Sequence, residues 1–137
     1  MKGLVLFADG SYALKDVAEP EIGRNVYAPQ DVLIEVAYCG ICGSDVHVYE
    51  WTTGYEWMPL PVILGHEFSG EVVEVGPQVR GVEVGDRITT LPLMPCSACD
   101  MCRIGKGDAC INKLALGLLA PGAFAEYISI TAGAPIF

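Results

Sequence analysis

Six residues of soft or borderline donor character, and one carboxylate, fall into two groups along this chain of 137 residues. The first group is Cys96, Cys99, Cys102 and Cys110, in the run PCSACDMCRIGKGDAC. Four thiolates within fifteen residues can converge on one soft cation in a tetrahedron, and zinc is the usual occupant of an all-cysteine site. A site that takes every ligand from the protein is structural. The competing occupant is an iron–sulfur cluster, whose ferredoxin run reads C-x2-C-x2-C-x3-C. The first three cysteines fit that run, but position 106 is Lys106 and the fourth cysteine comes four residues later, without a following proline. The spacing therefore favours a zinc lobe over about 92–113, and a coloured electron-transfer module is the weaker reading. The second group is Cys42, His66 and Glu67, in CGICGSDVHVYE and LGHEFSGEV. A thiolate, an imidazole and a carboxylate make an incomplete zinc shell, and an open shell can do chemistry. Iron or cobalt would also suit such a set.

Composition narrows what surrounds these donors. The apolar fraction is 52% and mean hydropathy is +0.40, so the chain can bury a core. A formal charge of −9 argues against nucleic acid or an anionic membrane surface as a partner. No run of roughly 20 apolar residues is present to span a bilayer. The N-terminal MKGLVLFADG reads as a first strand, because Asp9 follows the short apolar run at once and no cleavage-like segment appears. Six cysteines could mean disulfides in a secreted chain. The tight C-x2-C-x2-C spacing and the missing signal favour reduced, metal-binding thiols and a cytoplasmic location.

The elements that must hold these donors are short and mostly extended. Residues 3–7, 32–38, 68–75, 86–91 and 123–130 read as strands, some with the alternation of one wet face. Glu19-Pro20, Ala28-Pro29, Gly76-Pro77, Gly85-Asp86 and Pro121-Gly122 mark turns between them. One short helix is expected before residue 90, starting near Ser44 and Asp45, both good N-caps. Residues 96–107 should form an irregular metal lobe with a helical turn after Ala98. Cys39, at the end of a strand, reads as a small buried apolar residue. Many short strands with Gly/Pro turns and little helix imply a mainly β fold, a partly open barrel occupying residues 1–137. No G-x-G-x-x-G follows a strand and opens a helix, so no dinucleotide-binding half is read here.

Cys-Gly-Ile-Cys-Gly-Ser-Asp-x-His, Gly-His-Glu-x-x-Gly, Gly-Asp-Arg and the four-cysteine lobe, in this order, resemble the zinc-dependent medium-chain alcohol dehydrogenases. Within that family the stretch from His47 to Gly65 looks closest to threonine 3-dehydrogenases, and PLMPCSAC is similar to polyol and sugar-alcohol dehydrogenases. The resemblance covers nearly the whole chain. It implies a GroES-like catalytic barrel, and a Rossmann domain binding NAD or NADP that lies beyond residue 137. It also implies a further catalytic-zinc ligand and the last barrel strands beyond that point, so this chain alone should be inactive. By the same resemblance Cys42 and His66 are catalytic zinc ligands and Glu67 is the carboxylate beside them. Ser44 takes the proton from the alcohol, His47 is the outer end of that relay, and Asp45 holds the other ring nitrogen of His66. The expected reaction is NAD(P)-linked oxidation of a secondary alcohol (a polyol, sugar alcohol or threonine-like substrate) to a ketone. The partner would be a small-molecule alcohol, and a homo-oligomer is compatible with the family. The alternative is a zinc-binding β-barrel module without catalysis, used for assembly as in co-chaperonin rings. Trp51, Tyr55, Trp57 and Met58 could line a pocket near the zinc, although aromatics at such spacing are more often core.

Overall fold

A computed structural model describes residues 1–24, 31–50, 54–96, 98–131 and 136–137. Among them, β1 (Lys2–Leu6) lies between β2 (Tyr12–Asp16) and β4 (Val62–Ile63), antiparallel to both. A second sheet runs β6 (Arg87–Ile88), β5 (Glu67–Val75), β3 (Asp31–Gly40), β9 (Tyr127–Thr131), again antiparallel throughout. β7 (Leu93–Met94) pairs with β8 (Leu114–Ala115) in a small ladder of its own. The helices are α1 (Gly43–Tyr49), α2 (Asp100–Arg103) and a 3-10 turn at Gly107–Ala109.

Two apolar clusters hold the sheets. Val32 and Ile34 of β3, Val72 of β5, and Ile128 and Ile130 of β9 bury their side chains with Phe68, Ile88, Met94 and Leu116. Leu6, Val62, Leu64, Met58 and Val48 of α1 form the other cluster. Each such side chain removed from water contributes roughly 1.5–3 kcal/mol. Residues 122–126 stitch the two sheets together. The Leu4 N–H donates to the Phe124 carbonyl (2.8 Å) and the Val36 N–H to the Glu126 carbonyl (2.8 Å). That crossing joins the sheets into the mainly β fold expected from the sequence.

The pairing of β3 with β5 positions the chemistry. The register runs from Val32 opposite Val75 to Gly40 opposite Glu67, with two bulge-like shifts on the way. At the second shift Gly70 faces Val36, and a Cβ there would fall 2.2 Å from the Glu35 carbonyl oxygen. Only glycine allows that approach. Because Gly40 ends β3 beside Glu67, the chain leaving β3 carries Cys42 directly toward His66.

Several elements differ from expectation. β2 lies in YALKD, whose Ala, Leu and Lys favour helix, yet β1 captures it as a strand. The reversal between them turns at Gly10 (φ 78), with the Ser11 N–H donating to Asp9 Oδ1 at 2.9 Å. The strand expected at 123–130 begins only at Tyr127, because residues 123–126 are spent crossing between sheets. The strand expected at 86–91 shrinks to Arg87–Ile88. Helix α1 is capped by Cys42, not by Ser44 or Asp45, which occupy its first turn. Met58 is core, Trp57 is 53% exposed, and Trp51 lies outside the described residues.

Candidate metal centres and active site

The four-cysteine lobe is a loop closed at its base. β7 and β8 pair, and residues 95–113 run out and back between them. All four Sγ atoms lie within 4.8 Å of one another. Cys99 Sγ is 3.5 Å from Cys102 Sγ and 3.8 Å from Cys110 Sγ, and Cys96 Sγ is 4.0 Å from Cys102 Sγ. A tetrahedron with zinc–sulfur bonds of about 2.3 Å has edges of about 3.8 Å, so the donors already stand where zinc would hold them. None of the four cysteines is joined in a disulfide. Backbone N–H groups turn toward the sulfurs. Those of Ala98 and Cys99, then the Cys110 thiol, bring the Cys96 pKa down to about 6. The Cys102 N–H lowers that of Cys99. Hydrogen bonds of this kind favour the thiolate, the form a metal binds. Cys110 is only 3% exposed and its sulfur also accepts the Cys96 N–H at 3.3 Å.

The second group comes together from two elements. Cys42 caps α1, while His66 and Glu67 sit at the entry to β5. Cys42 Sγ, a His66 ring nitrogen and a Glu67 carboxylate oxygen lie within 4.8 Å of one another. They line an open cleft of about 590 Å³ with Thr89, Thr90 and Pro92 on its far side. His66 is 7% exposed, Asp45 5%, and Glu67 is solvent-facing.

Backbone packing fixes His66. The N–H groups of Gly122, Ala123 and Phe124 donate to the carbonyls of Ile63, Gly65 and Leu64, at 2.7, 2.9 and 2.9 Å. Gly65 adopts φ +90, and a Cβ on it would meet Phe124 at 2.7 Å. The two ring nitrogens of His66 then face different partners. Nε2 is 3.2 Å from Ser44 Oγ. Nδ1 looks at Asp45 Oδ1, 3.8 Å away. The other carboxylate oxygen of Asp45 accepts the Cys42 N–H at 2.9 Å. One carboxylate thus ties the backbone of one donor residue and faces the ring of another. A proton on Nδ1 directed at Asp45 leaves the Nε2 lone pair free for a cation, the arrangement typical of metal-binding histidines. The donor set and this orphaned Nδ1–Oδ1 pair both fit a zinc ion. Among the sequence-selected residues, Ser44 joins the group, whereas His47 is exposed in the last turn of α1.

Cys39 stays outside the trio. It is half-buried against the larger core, and burial pushes its thiol up while the Glu67 N–H pulls the other way. Tyr12, which no motif singled out, packs against α1 with the cluster that holds Leu6, Val48 and Met58. Its only sequence signal is the Asp9-Gly10 turn that brings its strand back along β1.

The family model for the alcohol dehydrogenase GroES-like domain matches residues 28–136. The chain belongs to that family. This GroES-like domain is 41% identical over 131 residues to an L-threonine 3-dehydrogenase of Klebsiella pneumoniae subsp. pneumoniae, spanning 93% of this chain and 36% of the relative. It is 42% identical over 137 residues to the L-threonine 3-dehydrogenase of Alteromonas mediterranea, 96% of this chain and 38% of that one. The chain therefore spans little more than a third of the curated relatives it matches. Among solved structures, one described as a zinc-binding dehydrogenase from Sinorhizobium meliloti 1021 bound to NADP superposes with a TM-score of 0.82 at 38% identity, over 99% of this chain and 37% of that one. Galactitol-1-phosphate dehydrogenase from Escherichia coli gives 0.82 at 33% identity, over 100% and 37%. The GroES-like domain is thus one shared by zinc-type dehydrogenases. Among the described residues, no helix is long and apolar enough to cross a membrane.

Proposed function

We propose that this domain supplies the metal centre and proton path for NAD(P)-linked oxidation of a secondary alcohol to a ketone. The carrying observation is the Cys42–His66–Glu67 donor set with Ser44 Oγ 3.2 Å from His66 Nε2. In this reading Cys42, His66 and Glu67 hold the catalytic zinc, and Cys96, Cys99, Cys102 and Cys110 hold a structural one. Residues 1–137 act as one unit of the catalytic domain, with the lobe at about 92–113. A bound zinc supplies Lewis acidity, which makes a hydroxyl beside it easier to deprotonate. Ser44 would accept that proton at Oγ while giving up its own hydroxyl proton to the next acceptor. His47, three residues on along α1, would be the outer end of that relay, reached through hydroxyls of the cofactor, and an imidazole can release a proton to solvent near neutral pH. Asp45 keeps the His66 ring from turning. The cleft admits a small polar alcohol.

The curated relatives named L-threonine 3-dehydrogenase and the galactitol-1-phosphate dehydrogenase neighbour support a threonine-like or polyol substrate. The NADP bound to the Sinorhizobium meliloti protein supports a nicotinamide cofactor. Six cysteines, none in a disulfide, suit a compartment that keeps thiols reduced, which favours the cytoplasm. By itself the chain is expected to turn over no alcohol, since it carries no glycine-rich phosphate loop of the G-x-G-x-x-G kind.

A chimera tests the reading. This chain replaces the matching segment of the Alteromonas mediterranea enzyme, and oxidation of L-threonine and of a polyol panel with NAD and NADP is followed by absorbance of the reduced cofactor. Turnover that Cys42→Ser abolishes is the expected result. A chimera that folds, carries two zinc ions and oxidises none of the alcohols would leave a non-catalytic zinc module as the better description.

A further inference from the structure

We propose that Tyr12 is a positioning residue for the Cys42–His66–Glu67 centre, its hydroxyl holding the Asp45 carboxylate that in turn holds the His66 ring. The inference rests on the metal-site reading above and extends it to an element that carries no ligand. Among the described residues, the Tyr12 hydroxyl, Asp45 Oδ1 and His66 Nδ1 are buried polar atoms that make no hydrogen bond. Asp45 Oδ2 is already committed to the Cys42 N–H, so Oδ1 is the atom left to orient the ring. It stands 3.8 Å from His66 Nδ1, one small side-chain rotation from a hydrogen bond.

Tyr12 reaches this spot for reasons of packing. It lies in β2 opposite Leu6, and its ring joins the cluster of Leu6, Val48, Met58, Val62 and Leu64. The Tyr49 ring is tilted against it, centroids 5.3 Å apart. Val48 and Tyr49 follow Asp45 by three and four residues on α1, so Tyr12 lies along the helix face that carries Asp45. Burial raises the pKa of the hydroxyl, and the Asp45 charge raises it further, so the two groups feel each other and the phenol stays a neutral donor. A buried phenol needs an acceptor, and a carboxylate can accept up to about four hydrogen bonds. With Oδ2 on the Cys42 N–H, an Oδ1 that accepted from both Tyr12 and His66 would stop Asp45 rotating about χ2. That arrangement would fix the Nδ1–H tautomer and keep Nε2 as the metal-binding atom.

Tyr12→Phe removes the hydroxyl and keeps the ring. Two measurements on the 137-residue chain read the effect. In the metal-free chain, ¹⁵N NMR of histidine reports the His66 tautomer, with His47→Gln assigning the two rings. With the lobe filled by zinc, Co²⁺ titration followed by the thiolate charge-transfer band reports affinity at the open centre. Wild type is expected to hold the Nδ1–H tautomer. Tyr12→Phe should mix the two tautomers and bind Co²⁺ about tenfold more weakly, the low end for groups that orient a metal ligand. The four-cysteine lobe should keep its zinc. In an Asp45→Asn background, Tyr12→Phe should add no further loss. An unchanged tautomer with Co²⁺ affinity within twofold of wild type would overturn the proposal, as would fully additive losses in the double variant. If wild type takes up no Co²⁺ at the open centre, the metal reading fails, and the tautomer measurement still decides for or against Tyr12.

Discussion

The lobe at 95–113 and the cleft at Cys42–His66–Glu67 draw on the same few donor types and are built in opposite ways. The lobe takes four sulfurs from one loop, closed by a two-strand ladder with little apolar core of its own. Its shape depends on what joins the sulfurs. The cleft takes its donors from two elements that the β3–β5 pairing and the 122–124 backbone bonds already hold in place. Its shape depends on packing, and one side of it stays open to solvent. On the proposed function, a metal would stabilise the first region and equip the second.

The largest contrast is expected from paired cysteine substitutions. Cys110→Ser removes the buried sulfur at the heart of the lobe, where ion binding and folding are coupled. Its melting temperature should fall by about 10 °C or more, since each 1 kcal/mol is worth roughly 4 °C in a domain of this size. Cys42→Ser should shift it by less than about 3 °C by the same scale. Differential scanning calorimetry of both zinc-loaded variants separates them, and equal losses would erase the distinction. Gly70→Ala strikes the opposite region. Its Cβ would meet the Glu35 carbonyl at 2.2 Å, so β3 and β5 must part, at a cost of about 2–4 kcal/mol. Chemical denaturation should register that loss while the lobe retains its zinc.

The two regions were not equally legible in the sequence. The lobe was, because its ligands are local and spacing alone brings them together. β1, β3 and β5 were as well, since apolar alternation marks a half-buried strand. β4, β7 and β8 are two residues long, too short for any period to show. β2 carries helix-favouring residues and is a strand because β1 offers it partners, and the Asp9-Gly10 pair that turns the chain between them was not among the turns read. For the cleft, the donor types were visible, but their convergence depends on a bulged register that no local pattern encodes. Facing of His66 by Asp45 followed from family resemblance only. Tyr12 lies 30 residues and more from any ligand, so only the folded packing of β2 on α1 reveals it.

A smaller effect sharpens the cleft alone. Asp45→Asn keeps the size of the side chain but weakens its hold on the His66 ring. Co²⁺ affinity at the open centre should fall 10- to 100-fold, with the lobe untouched. An affinity within a factor of two of wild type would remove Asp45 from the centre.

The subtlest contrast is in thiol chemistry without metal. With its pKa at about 6, Cys96 is mostly thiolate at pH 7, whereas the Cys39 thiol, raised by burial, stays protonated. Iodoacetamide at pH 7 should therefore label Cys96 well before Cys39, by peptide mass mapping. A folded-state pKa below the ordinary thiol value means the thiolate stabilises the metal-free lobe in full above pH 9, and that contribution is lost as pH falls through about 6. Loosening of the metal-free lobe on acidification is the expected sign, and tightening would contradict it.

Timed chelation tests the division of labour most directly. The chain is loaded with zinc, a chelator is added, and zinc release is followed with a colorimetric indicator. Two ions per chain should leave in separate phases. The fast phase should disappear in Cys42→Ser and the slow phase should persist there. A single release rate for both ions, or loss of the slow phase in Cys42→Ser, would contradict a structural lobe and an open catalytic centre.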